Sequence, residues 1–134
     1  MIVLDTSAVS ALMHGAPAAL DRLRDEQPDE VILVSPVAAE IRFGLERLAR
    51  GSKRRRLLEG EYARLRAAVR WEDWTEEAAA EFGRQKARLT RLGAMIEDFD
   101  IAIGASAFVL RARIATLNVK HLARLQGVTV EDWS

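Results

Sequence analysis

Three short apolar runs constrain this chain more than any other feature. Ile2-Val3-Leu4, Val31-Ile32-Leu33-Val34 and Ile114-Ala115-Thr116 are too short to be buried helices, and polar residues soon follow each: Asp5-Thr6-Ser7, Ser35-Pro36 and Asn118. Runs of this kind read as strands buried on both faces, which belong to parallel sheets covered by helices. The intervening segments carry helix signals. Thr6 or Ser7 caps a helix to about Met13. Pro17 opens one over residues 17–26. Ser35-Pro36 opens another, with Val37, Ile41, Leu45 and Leu48 on one face, that stops near Gly51. Ser52 starts a fourth with Leu57, Leu58, Tyr62, Leu65 and Val69 on its buried side. Thr75-Glu76-Glu77 starts a fifth that ends at Gly93, and residues 97–111 form a sixth offering Ile101, Ala105, Phe108 and Val109 to the core. Residues 68–71 and 128–130 read as short strands, the latter at an edge. The alternation predicts an α/β fold of one domain over 1–134: a small, mostly parallel sheet flanked by helices in three layers.

Composition narrows the function. With 49% apolar and 30% charged residues the chain can bury a core and is not of the disordered type. It has no cysteine, which excludes disulfides, thiolate zinc sites and a cysteine nucleophile, and fits a reducing compartment. The opening MIVLDTSAV lacks the basic and long apolar parts of a signal peptide, and no run of about 18 apolar residues exists, so a cytoplasmic location with no membrane span is expected. Basic and acidic residues balance at 20 each. That argues against tight RNA binding by a basic surface alone. It does not argue against a nuclease whose metal ions supply the positive charge at the phosphate. Only Lys53, Lys86 and Lys120 are lysines, so the basic residues are almost all arginine, either as compositional bias or as guanidinium forks for phosphate.

In open α/β sheets, ligands sit outside the carboxyl ends of the strands. That rule selects Asp5 after the first strand, Glu40 one turn into the helix after the second, and Asn118 after the strand at 114–116. Asp98 and Asp100 open the helix leading into that strand. Each has an ordinary explanation alone: a cap for Asp5, a solvated surface for Glu40, dipole-favoured acids for Asp98 and Asp100, a turn for Asn118. Their joint placement is the signal. Clustered carboxylates repel one another and hold each other's pKa up. A divalent cation removes that cost, and Mg²⁺ or Mn²⁺ suits an all-oxygen set of donors. Such a site fits phosphodiester hydrolysis, in which the metal polarises the phosphate, activates a water and stabilises the departing oxygen.

These residues resemble a known family. Ile2-Val3-Leu4-Asp5-Thr6-Ser7 looks like the opening of PIN domains. Ser35 to Gly44, with Glu40 inside it, is similar to their second motif, Asp98 to Ala105 to their third, and Ala115-Thr116-Leu117-Asn118 to their fourth. Gly127 to Trp133 is similar to the tail of VapC toxins. The resemblance spans the chain, and it implies a Mg²⁺-dependent (or Mn²⁺-dependent) endoribonuclease that cuts tRNA, rRNA or mRNA. It further implies the toxin half of a type II toxin–antitoxin system, silenced by a cognate VapB-type antitoxin, dimeric and part of a higher toxin–antitoxin assembly. Carried over by position, Asp5, Glu40 and Asp100 match the catalytic, metal-holding acids. Asp98 is an additional acid, where the family often has proline or another residue. Asn118 matches the fourth position, where an amide can hold a metal-bound water but adds no charge, which weakens a second metal. Thr6, Ser7 and Thr116 match hydroxyls that orient the acids or a water. One departure stands out: VapC chains usually place an acid and then Phe after the fourth motif, and here those places hold His121 and Leu122. His121 reads either as incidental or as a contact to RNA or a proton shuttle.

Rival functions leave their own marks. A response-regulator receiver needs an Asp directly after its middle strand, and the strand taken as the middle one here ends Val34-Ser35-Pro36. A catalytically silent PIN-fold module binding RNA or protein, the main alternative, would have lost acids, and none of the three is lost. A metal-free ribonuclease would lean on His14 and His121, whose placement gives no reason to expect it. Lys53-Arg54-Arg55-Arg56 is either a solvated cluster or a contact for RNA phosphate or an acidic antitoxin segment, and Arg42 near Glu40 has the same choice. Trp71, Trp74 and Trp133 are able to stack bases, but their positions favour core or dimer packing.

Overall fold

The structure is a computed structural model and describes residues Met1–Ser134. In chain order it runs β1 (Ile2–Leu4), α1 (Thr6–Met13), α2 (Pro17–Arg24), a 3₁₀ turn (Pro28–Glu30), β2 (Val31–Val34) and α3 (Ser35–Glu46). It continues through α4 (Lys53–Ala68), β3 (Arg70–Glu72), α5 (Glu76–Leu92), α6 (Asp98–Leu110), β4 (Arg113–Thr116), α7 (Val119–Leu122) and β5 (Val130–Asp132). The strands form one sheet in the order β3-β2-β1-β4-β5, and every neighbouring pair is parallel. Val3 lies opposite Ile32 on one side and Ile114 on the other, and none of the three is exposed.

Strand order places the site. The chain steps outward from β1 through β2 to β3, then crosses back to β4 and β5 on the other side of β1. With right-handed crossovers, this reversal puts α1 to α4 on one face and α5 to α7 on the other. The packing agrees, since α1 contacts α2, α3 and α4 while α6 contacts α5 and α7. The order reverses between β1 and β4, so the crevice at the carboxyl ends of those two strands is where an open α/β sheet takes its ligand. Helices α3 and α6 also touch each other.

Several local expectations change. The cap of α1 is Asp5, not Thr6 or Ser7: Asp5 is extended and its Oδ1 accepts from the Ala8 N–H at 2.8 Å. Ser35 is the first residue of α3 rather than its cap, and its hydroxyl instead accepts from the Trp74 N–H at 3.1 Å. Leu57, expected in the core, is 60% exposed while Leu58 is buried, because adjacent residues on a helix point about 100° apart. Phe108 is also exposed; α6 packs inward through Ile101, Ile103, Ala105 and Ala107. The edge strand falls at 130–132, where Val130 pairs with Ile114 and Asp132 with Thr116. The middle strand is β1, not β2, so an Asp does follow the middle strand, as a receiver domain requires. Of the tryptophans, Trp133 is buried in the core, Trp71 lies half-buried under the Arg66 guanidinium and Trp74 is partly exposed.

Candidate active site

Asp5 sits at the base of the crevice. It ends β1 and caps α1, so its backbone is fixed from both sides: its N–H donates to the Ala115 carbonyl at 3.0 Å and its side chain receives the Ala8 N–H. Only 4% of Asp5 is exposed. The Ser7 hydroxyl donates to its Oδ1 at 2.7 Å, and the buried Thr116 hydroxyl donates to its Oδ2. Burial raises the Asp5 pKa, and these hydrogen bonds work against that rise. Ser7 and Thr116 in turn fix the β4 turn, accepting the N–H groups of Leu117 and Asn118 at 2.8 Å each. A buried acid with so many donors is held in one orientation.

Glu40 approaches from α3. The Thr6 hydroxyl, from the first turn of α1, donates to Glu40 Oε1 at 2.5 Å. Asp100 approaches from the first turn of α6, with its side chain 23% exposed. Its pKa is raised first by burial and then by the charges of Glu40 and Asp5; His121 pulls the other way and Glu97 adds to the rise. Asp100 therefore feels the charges of Glu40 and Asp5 although the three lie on separate elements. His121 Nδ1 is 4.0 Å from Asp100 Oδ2 and 2.9 Å from the Asn118 side-chain amide.

Asp98 stands apart from this group. It is exposed and pairs with Lys86 of α5 at 3.0 Å. His14 bonds the Ser10 carbonyl of its own helix. No set of three or more Asp, Glu or His side chains is gathered tightly enough to form a ready-made cage for a cation. The oxygen donors facing the crevice come from Asp5, Glu40 and Asp100, with hydroxyls behind them. Glu97 is the charged neighbour that the sequence analysis passed over. The signal was present, as Glu97-Asp98-Phe99-Asp100 holds three acids in four positions, but helix phase decides which of them faces inward.

A parallel sheet with acids from β1, α3 and α6 meeting at its switch point defines a PIN-type α/β domain. The PIN domain profile matches residues 2–127, and the chain belongs to the PIN-domain family. Along its whole length it is similar to VapC-type members. It is 23% identical over 131 residues to the tRNA(fMet)-specific endonuclease VapC of Salmonella typhimurium, covering 98% of this chain and 96% of that protein. Among solved structures it superposes on VapBC2 of Rickettsia felis, solved with a promoter DNA fragment, with a TM-score of 0.89, 20% identity and full coverage of both chains. It also superposes on VapBC-1 of nontypeable Haemophilus influenzae with a TM-score of 0.83, 26% identity, and coverage of 99% and 98%. The match to the PIN family, rather than the position of any one Asp, is what removes the receiver alternative.

Proposed function

We propose that this chain is the toxin of a type II toxin–antitoxin pair and acts as a Mg²⁺-dependent endoribonuclease, with Mn²⁺ as a substitute. The observation that carries this is Asp100 at the β1–β4 switch point, its pKa raised by burial and then by the charges of Glu40 and Asp5, a cost that a divalent cation would relieve. The donor set fits Mg²⁺. It is all oxygen, and Mg²⁺ commonly takes only one or two carboxylates and keeps several waters, so a closed cage is not needed. Asp5 and Asp100 would be the direct ligands and Glu40 would hold a water beside them, with Asn118 as an outer contributor; Asp98, exposed and paired with Lys86, would not take part. When bound, the ion supplies Lewis-acid polarisation of the phosphate and a more acidic water. The chain's own part is orientation. Ser7 and Thr116 fix both oxygens of Asp5, and Thr6 fixes Glu40.

The relatives point the same way. The Salmonella protein is by name an endonuclease, and the Rickettsia and Haemophilus structures are by title VapBC assemblies. By the same likeness, a VapB-type antitoxin and a second copy of the toxin are the partners of this chain. No helix is long and apolar enough to cross a membrane, and cytosolic RNA is the proposed substrate.

The test is cleavage of total RNA by purified protein, comparing wild type with Asp100→Asn in Mg²⁺ and in EDTA. Cleavage by wild type only with Mg²⁺, and at least about a hundredfold less by the variant, is the expected result. Cleavage in every tube would overturn the acid–metal reading. A wild type that binds Mg²⁺ by calorimetry yet cuts nothing in total RNA would favour the silent binding module.

A further inference from the structure

Beside the acids lies a groove of about 560 Å³ lined by Met95, Ile96, Glu97, Asp98, Phe99 and His121. Its volume is in the range of small-ligand sites. It adjoins the candidate active site directly. His121 is 4.0 Å from Asp100, and Asp100 follows Phe99 in the chain. Its walls are held in place without a ligand. Arg124 donates to the Met95 carbonyl at 3.0 Å, Lys86 clamps Asp98, and the Asn118 amide holds His121 Nδ1. Yet it presents apolar and aromatic surface to water: Met95 is 43% and Phe99 45% exposed.

The charges select the occupant. Asp98 is neutralised by Lys86, but Glu97 is exposed, forms no ion pair, and makes no capping hydrogen bond although it is the N-cap of α6. An unpaired carboxylate repels phosphate, so this groove does not take the RNA backbone. It accepts hydrogen bonds from a flat, neutral group that stacks on Phe99. The Asn118 amide occupies His121 Nδ1, which leaves Nε2 as the ring's free hydrogen-bonding atom in the groove. The groove thus offers the two oxygens of the unpaired Glu97 carboxylate as acceptors, and the His121 ring nitrogen, beside an aromatic face. Among the bases, only guanine has two adjacent donors, N1–H and N2–H₂, next to an acceptor, O6; the single-stranded edge that proteins read is this one.

We propose that this groove is a guanine-binding subsite next to the scissile phosphate, with Glu97 as the residue that determines the base. The proposal rests on the ribonuclease reading for its role in specificity, but the binding it predicts does not need cleavage. The four nucleoside 5′-monophosphates are titrated into ¹⁵N-labelled full-length protein in EDTA and followed by NMR, with wild type beside Glu97→Gln. Guanosine monophosphate is expected to shift the amides of Met95 to Phe99 and His121, with at least about tenfold tighter binding than the other three, and that preference to disappear in Glu97→Gln. Glu97 is surface-exposed, so the variant is expected to fold, and its unchanged spectrum elsewhere verifies this. Equal binding of all four, or shifts confined to other regions, overturns the subsite. Guanosine preference in a protein that cuts no RNA would leave the subsite standing and overturn only the nuclease reading. Where cleavage does occur, sequencing the ends of fragments from a randomised RNA pool is expected to show guanosine beside the cut for wild type and all four bases for Glu97→Gln.

Discussion

Asp5 and Asp100 are pushed towards their neutral forms, mainly by burial, and for Asp100 also by Glu40 and Asp5. A carboxyl whose folded pKa lies above its ordinary value binds its proton more tightly in the native state. The stability it contributes is therefore complete below about 3.8 and is lost as pH rises through the folded value. Asp100→Asn cannot ionise, so in EDTA at pH 7 its Tm is expected to exceed that of wild type by a few degrees, and the advantage to vanish near pH 3. A variant melting below wild type at pH 7 would contradict the repulsion described here. Millimolar Mg²⁺ is expected to raise the Tm of wild type and not that of Asp100→Asn. Thr116→Val tests the support of Asp5. It removes one donor to Asp5 and leaves the Asn118 N–H unpaired, which costs about 1–3 kcal/mol in urea unfolding. It is also expected to weaken Mg²⁺ binding about 10–100-fold by calorimetry. Asp5 and Glu40 could be picked out from the sequence because a topological rule, not local pattern, selects strand ends, whereas Asp100 was separated from Asp98 only by the family resemblance. The different fates of Asp98 and Glu97 could not be picked out. Each depends on where α6 begins to within one residue, and Asp98 is exposed and pairs with Lys86, which belongs to another helix.

At the scale of elements, most of the fold was legible where a cap or a short apolar run stated it. Thr75 caps α5 by accepting the Ala78 N–H, Ser52 caps α4 by accepting the Arg55 N–H, and Gly93 ends α5 in the left-handed conformation, φ 64°. What was not legible is decided by partners. The edge strand sits at 130–132 and not 128–130 because its register is set against β4, and β1 is central because of strand order, which no local pattern carries. The arginine run resolves in the same way. Arg55 is a staple, paired with Glu46 and Glu59 and donating to the Leu48 carbonyl, so it joins α3 to α4. A second staple is Gln85 of α5, which is 1% exposed. Its amide donates to the Gln126 carbonyl at 2.8 Å and accepts the Gln126 N–H at 3.2 Å, tying α5 to the loop before β5. Gln85→Ala leaves both backbone groups and Glu81 short of a partner. It is expected to cost about 2–4 kcal/mol and to speed hydrogen exchange in residues 123–133 more than in β1 or β2. Uniform acceleration across the sheet would mean the loop has no separate opening and would contradict this division.

Over the whole molecule, a net charge of zero conceals a separation of charge. Asp5, Glu40 and Asp100 lie at the crevice, while Arg42, Arg47, Arg50, Lys53 and Arg54 stand exposed on α3, α4 and the loop between them, with no carboxylate partner. These two regions meet in a recess of about 230 Å³ between α1, α3 and α4, lined by Thr6 and Glu40 at one end and Arg54 at the other. For an RNA strand crossing the acidic site, the backbone must be held by cations placed beside the carboxylates rather than among them, and Arg54 is in that position. It differs from Glu97 in kind, because a contact to phosphate adds affinity without reading sequence. Arg54→Ala is therefore expected to weaken binding of any single-stranded RNA by a similar factor and to leave base preference unchanged. The slope of log K against log salt is expected to flatten by about 0.7, the release of roughly one counterion from a single strand. Filter binding at several salt concentrations with guanosine-containing and guanosine-free oligonucleotides separates the two roles. A flatter slope for both RNAs places Arg54 on the backbone. A loss confined to one RNA would make it a base contact, and an unchanged slope would leave the basic face to another occupant, for which an acidic segment of the antitoxin is the fitting chemistry.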